Sequence, residues 1–224
     1  MMQAKTLHFL EDLKENNQKE WFHENKKNYE IFKKEYHGLI AALLKEMKAL
    51  DHLLEPLEVK NCAFRINRDV RFSKNKSPYK TNMGIWFSTD KSRKNAPGYY
   101  LHYEKGMSFI AGGVYCPETD ELKKIRKEIA FFQEDLVEIL ENPSFKKSYG
   151  ELDRDEKNVL KKAPKDYEPS HPAIEFLKLK SFTATHLVED SLFTDVDFAS
   201  KMAKKLIVLK PLNIFLNRAM ETID

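Results

Sequence analysis

The stretch Tyr99-Tyr100-Leu101-His102-Tyr103-Glu104-Lys105-Gly106-Met107-Ser108-Phe109-Ile110-Ala111-Gly112-Gly113-Val114-Tyr115 decides the fold class. Two aromatic and aliphatic runs flank Lys105-Gly106, and a glycine at such a break predicts a tight hairpin between two strands. Side chains alternate along a strand, so Tyr100 and His102 share one face and Leu101 takes the other. Glycines inside a strand weaken it, so Gly112 and Gly113 predict a bulge or a close approach of backbone or ligand. They are not a phosphate loop, because the spacing and the following Lys-Ser/Thr are missing. Neighbouring strands joined this tightly pair antiparallel.

Outward from the hairpin, residues 59–66 and 84–88 read as further strands, making four with 98–103 and 107–115. Residues 179–187 are ambiguous between strand and helix. Upstream, Leu7, Leu10 and Leu13 mark a helix over 4–16, with Thr6 at its cap or first turn and Asn16-Asn17 as its stop. A second helix, from about residue 18 to residue 50, carries Tyr29, Phe32, Tyr36, Leu39, Leu43 and Met47 at helical spacing. A short polar turn makes the two an antiparallel pair. Downstream, 118–141 is a helix stopped by Asn142-Pro143. Residues 193 to about 217 form another, broken or kinked near Pro211. Strands bracketed by helices without βαβ alternation predict an α+β fold: an antiparallel sheet packed with an N-terminal helical pair and C-terminal helices. No linker or repeat divides the 224 residues, so one domain over 1–224 is expected.

The composition, 42% hydrophobic and 12% aromatic, supports a packed core and argues against disorder. A net charge of +3 is too small to mark a nucleic-acid protein by itself. Cys62 and Cys116 suggest neither a disulfide framework nor a metal pattern, which fits reduced thiols in a cytosol. The N-terminus lacks signal-peptide character, and the apolar run 39–44 is too short to span a bilayer. A cytoplasmic protein without membrane attachment is expected. The histidines show no metal-ligand spacing, and no metal or cofactor is called for.

The charge is concentrated locally. Residues 60–80 hold seven Lys or Arg against one acid, Asp69. Like charges this close repel, and a bound anion would relieve the conflict. Arginine suits bidentate contact with phosphate or carboxylate, and lysine supplies a point charge. Arg65, Arg68, Arg71, Lys76 and Lys80 are therefore the candidate anion ligands, with Tyr79 and Tyr100 shaping the pocket. Asp69 and His102 are the acid/base candidates should the ligand be turned over. The sequence leaves open whether there is a reaction, and whether Asp69 pairs with Arg68, Arg71 or solvent. Glu58-Val59-Lys60 looks like half of a metal-dependent nuclease site, but no acidic partner precedes it.

The segment Arg65-Ile66-Asn67-Arg68-Asp69-Val70-Arg71-Phe72-Ser73-Lys74-Asn75-Lys76-Ser77-Pro78-Tyr79-Lys80-Thr81, together with Asn17, Trp21, Phe22, Asn25, Lys26 and Tyr29, resembles the bacterial DUF2461 family. Tyr99-Tyr100-Leu101-His102 and the Gly-Gly strand add to the resemblance, which covers almost all of the chain. The family is one of unknown function, so it implies no reaction. It does imply that Asn25, Lys26 and Tyr29 belong beside the basic segment. The reading favoured by these residues is binding of a small phosphorylated or carboxylated ligand. The alternatives are a nucleic-acid-binding module, in which Phe72 and Tyr79 stack on bases, and a protein-interaction domain.

Overall fold

A computed structural model describes residues 1–93 and 95–221. The fold is α+β, and among the described residues its sheet has four antiparallel strands. In chain order the elements are α1 (Ala4–Glu15), α2 (Lys19–Glu24), α3 (Lys26–Leu50), α4 (Val59–Cys62), β1 (Met83–Ser88), β2 (Gly98–Tyr103), β3 (Phe109–Val114), α5 (Thr119–Phe131), α6 (Gln133–Glu141), α7 (Pro143–Tyr149), α8 (Ile174–Leu177), β4 (Phe182–Leu187), α9 (Phe198–Leu206) and α10 (Lys210–Glu221). The strand order is β1-β2-β3-β4. The hairpin forms where expected, with its turn closed by the Met107 N–H on the Glu104 carbonyl at 2.8 Å. The ambiguous stretch becomes β4.

The expected strand over 59–66 is not there. Glu58 and Asn61 form a capping box in which each side chain accepts from the other's backbone N–H, starting α4 where β-branched Val59 had suggested a strand. The Cys62 thiol donates back to the Glu58 carbonyl at 3.3 Å. Beyond α4 the chain extends and makes isolated antiparallel bridges, Ala63 to Ile85 and Asn67 to Tyr79. The long second helix is interrupted at Asn25, whose side-chain amide and backbone N–H both donate to the Trp21 carbonyl. Near Pro211 the helical path tightens rather than breaks. Proline lacks an N–H, and Lys210 donates instead to Ile207, giving a 3-10 turn over Ile207–Leu209.

Two compact units result, one from residues 1–87, 100–110 and 187–204, the other from 88–99, 111–186 and 205 onward. In the first, α1 and α2 pack on α3. Leu13, Leu39, Ile40, Leu43 and Met47 are fully buried there, each contributing roughly 1.5–3 kcal/mol by leaving water. Asp190 ties down the hairpin turn by accepting from the Gly106 N–H at 2.7 Å and the Ser108 hydroxyl at 2.6 Å. In the second unit α10 packs on α5 and α6. Arg218 bonds Glu128 of α5 and Asp135 of α6. The Gly-Gly expectation resolves as a close approach. Gly113 has φ +112°, and a Cβ there would meet the Phe182 carbonyl oxygen at 2.0 Å, so only glycine fits.

Candidate functional site

The basic segment folds back on itself within the first unit. Arg68 N–H donates to the Pro78 carbonyl at 2.9 Å and Lys80 N–H to the Ile66 carbonyl at 2.8 Å. Asn17 clamps this hairpin from the α1–α2 turn. Its amide takes the place of a strand neighbour, accepting from the Tyr79 N–H and donating to the Tyr79 carbonyl, both at 3.0 Å. The Tyr79 ring stacks on Phe22 of α2, with centroids 4.1 Å apart. Tyr79 is therefore buried and serves as the anchor of the hairpin. Two of its cations staple the loop: Arg68 Nη1 bonds the Ser77 carbonyl and Lys76 Nζ the Val70 carbonyl, each at 3.0 Å.

Beside the hairpin base lie two adjoining clefts. The first, of about 300 Å³, is lined by Phe64, Arg68, Asp69, Lys80, Asn82, Gly84 and Tyr100. The second, of about 340 Å³, lies between α3 and the 63–67 and 80–84 stretches. It takes Tyr29, Lys33, Tyr36 and His37 from α3, and adds Lys60 and Arg65. Phe64, Lys80, Asn82 and Gly84 line both. Lys80 Nζ sits 5.0 Å from the Phe64 ring centroid, a cation–π contact in that shared wall. A Cβ at Gly84 would meet the Tyr100 hydroxyl at 2.7 Å, so a larger residue there would have to displace that side chain.

The electrostatics of the clefts differ. Lys33, Lys60, Arg65 and Lys80 line the second, and among the described residues no acidic side chain does. Lys60 pairs with exposed Glu58 at 2.8 Å. Among the described residues, no salt bridge engages Lys33, Arg65 or Lys80. Burial, and then the charge of Arg65, push the Lys80 pKa below its ordinary 10.5. Tyr36 braces the floor: its hydroxyl accepts from the Phe64 N–H at 3.1 Å and donates to the Gly84 carbonyl. Burial raises its pKa to about 12, so it stays a phenol.

Asp69 lines the first cleft while pairing with Arg71 in a fork, Nε to Oδ1 at 3.0 Å and Nη2 to Oδ2 at 2.7 Å. Those hydrogen bonds from Arg71 hold its carboxyl below the usual aspartate range. Arg71 itself lines neither cleft. His102 also lies outside both. Its Nδ1 is 2.9 Å from the Tyr100 hydroxyl, its Nε2 is 3.6 Å from Glu104, and its ring stacks on Phe109. Burial raises the Tyr100 pKa to about 12, so it stays a phenol, and the His102 tautomer sets which of the two donates. Burial also lowers the His102 pKa, opposed by Glu104. His102 thus orients Tyr100, which does face the first cleft.

Of the residues expected at a site, Arg65, Arg68, Asp69, Lys80, Tyr100 and Tyr29 line the clefts. Arg71, Lys76, Tyr79, Asn25, Lys26 and His102 do not. Asn25 caps α2, and Lys26 is exposed on the first turn of α3. The sequence reading missed Lys33, Lys60, Phe64, Asn82 and Gly84 as site residues. A signal existed for Lys33: it follows Tyr29 by four residues and precedes Tyr36 and His37 by three and four, which puts all four on one helix face.

The Asn17 and Phe22 contacts to Tyr79 bring together the two distant stretches that carried the family resemblance. A family model described as "Conserved hypothetical protein (DUF2461)" matches residues 5–215. The chain belongs to the DUF2461 family. The match takes in both clefts and every candidate site residue. No curated protein and no solved structure matches the chain. Among the described residues, no helix is long and apolar enough to cross a membrane, and no three His, Cys, Asp or Glu side chains gather to hold a metal ion.

Proposed function

We propose that this DUF2461 chain binds a small phosphorylated or carboxylated ligand in the bacterial cytoplasm, with the anion held in the second cleft. One observation supports the reading: Lys33, Lys60, Arg65 and Lys80 converge there from α3, α4 and the hairpin base, with no acidic side chain among the described residues lining the cleft. An anion would offset their mutual repulsion and favour the charged form of Lys80. Turnover would fall to Asp69, or to Tyr100 oriented by His102. Asp69 is held ionised by Arg71, which makes it a weak base.

The exposed tip of the hairpin favours a second reading, nucleic-acid binding. Phe72 is 96% exposed, and the Arg71 guanidinium lies 5.8 Å from its ring centroid. A thermal-shift panel of inorganic phosphate, sugar phosphates, nucleotides, dicarboxylates and short oligonucleotides separates the two. A ligand at 100 times its Kd stabilises by about 2.7 kcal/mol, which for a chain of this size raises Tm by roughly 5–10 °C. The first reading expects that shift with a small anion and its loss in Arg65→Ala and Lys80→Gln. A shift confined to oligonucleotides, steeply weakened by salt and lost in Phe72→Ala, would replace it with the second.

A further inference from the structure

The two clefts differ in a way that specifies more of the ligand. We infer that the ligand is a phosphorylated sugar, with its phosphate in the second cleft and its hydroxyls in the first; this rests on the anion-binding reading above. Asp69 is the deciding residue. Its carboxylate only accepts hydrogen bonds, so although Arg68 and Lys80 line the first cleft as well, Asp69 calls there for a hydrogen-bond donor such as a hydroxyl.

The remaining groups of that cleft suit the same partner. The Asn82 side chain makes no hydrogen bond among the described residues and offers both a donor and an acceptor. The Tyr100 hydroxyl is bonded to His102 Nδ1 at 2.9 Å and, whichever of the two donates, keeps a lone pair for a hydroxyl donor. Phe64 is 46% exposed and presents an apolar surface for the C–H face of a sugar ring. Phe64, Lys80 and Asn82 line both clefts, so a ligand spanning them passes one continuous wall. In the second cleft Lys60 is paired with Glu58, and the other three cations, Lys33, Arg65 and Lys80, match a phosphate, which carries about −1.5 to −2 charges, better than a single carboxylate. The two volumes, about 300 and about 340 Å³, suit a compact ligand.

Two sources share this chemistry, a free sugar phosphate and the ribose phosphate of a nucleotide. Calorimetric titration of the full chain with inorganic phosphate, ribose 5-phosphate, glucose 6-phosphate and AMP distinguishes them. At least one sugar-bearing probe should bind about tenfold or more tighter than inorganic phosphate, as one or two added hydrogen bonds would give. AMP binding tighter than both free sugar phosphates identifies a nucleotide; the reverse identifies a free sugar phosphate. Asp69→Ala, an exposed change, should erase the sugar gain and leave phosphate affinity intact. Phe64→Ala should reduce the gain. Lys33→Gln should weaken all probes alike. If inorganic phosphate binds in a Lys33-dependent way but no sugar probe binds tighter, the sugar inference is overturned and the anion site stands. If no probe binds, both are overturned.

Discussion

Asp69 and Lys80 show how far one residue's chemistry depends on its neighbours. From the sequence, Asp69 had Arg68, Arg71 and solvent as alternative partners. The choice of Arg71 rests on a fork geometry that only the folded loop supplies. Its folded pKa lies below the ordinary 3.8, so the pairing's stabilisation is present above 3.8 and is lost as pH falls through the folded value. The Asp69 carboxyl should titrate below 3.8 by NMR and move back up in Arg71→Ala; an unchanged midpoint would refute the pairing. Lys80 has the opposite sign of cost. Its folded pKa lies below 10.5, so burial of its charge opposes folding at neutral pH, and the penalty lifts as pH rises toward 10.5. A bound anion favours the charged form, so binding takes up protons. Phosphate affinity measured from about pH 8 upward, where phosphate is already largely a dianion, should fall, and the fall should begin at lower pH than in Lys80→Gln.

At the level of elements, the site depends on two clamps remote from the basic segment in sequence. Tyr36 joins α3 to Phe64 and β1, and Asn17 joins the α1–α2 turn to Tyr79. Tyr36→Phe removes both hydrogen bonds at a buried position and should cost about 1–3 kcal/mol in urea unfolding, with weaker anion binding because Phe64 is released. Asn17→Ala should cost a similar 1–3 kcal/mol by leaving the Tyr79 N–H without its acceptor. Most of the helical content and the β2–β3 hairpin were legible because their periodicities of apolar residues, 3.6 and 2, extend over many positions, but the helix expected over 118–141 splits at Phe132 into α5 and α6, and that over 193–217 has α9 starting only at Phe198. The 59–66 stretch does not form the expected strand because a side-chain to backbone capping box at Glu58 and Asn61 starts a helix at Val59. The break at Asn25 rests likewise on one amide. Such local hydrogen bonds leave little trace in periodicity.

For the whole molecule, we propose that residues 1–224 unfold as one domain. Strands β2 and β3 each have residues in both compact units. Trp21 and Trp86, the two tryptophans, both lie in the first unit, whereas far-UV circular dichroism reports the helices of both. The fluorescence and dichroism curves in urea should superimpose, and separated midpoints would show independent units. At this scale the candidate site was half legible. Charge density pointed to Arg65, Arg68 and Lys80, but Lys33 and Lys60 join them only through the packing of α3 and α4 beside the hairpin base. The central claim is that Lys33, Lys60, Arg65 and Lys80 form one anion site. Backbone amide NMR of the full chain titrated with inorganic phosphate tests it most directly. The account predicts saturable shifts concentrated in residues 63–67 and 80–84 and near Lys33 and Lys60, absent in Lys33→Gln. No saturable shift, or shifts confined to the 71–76 tip, would contradict it.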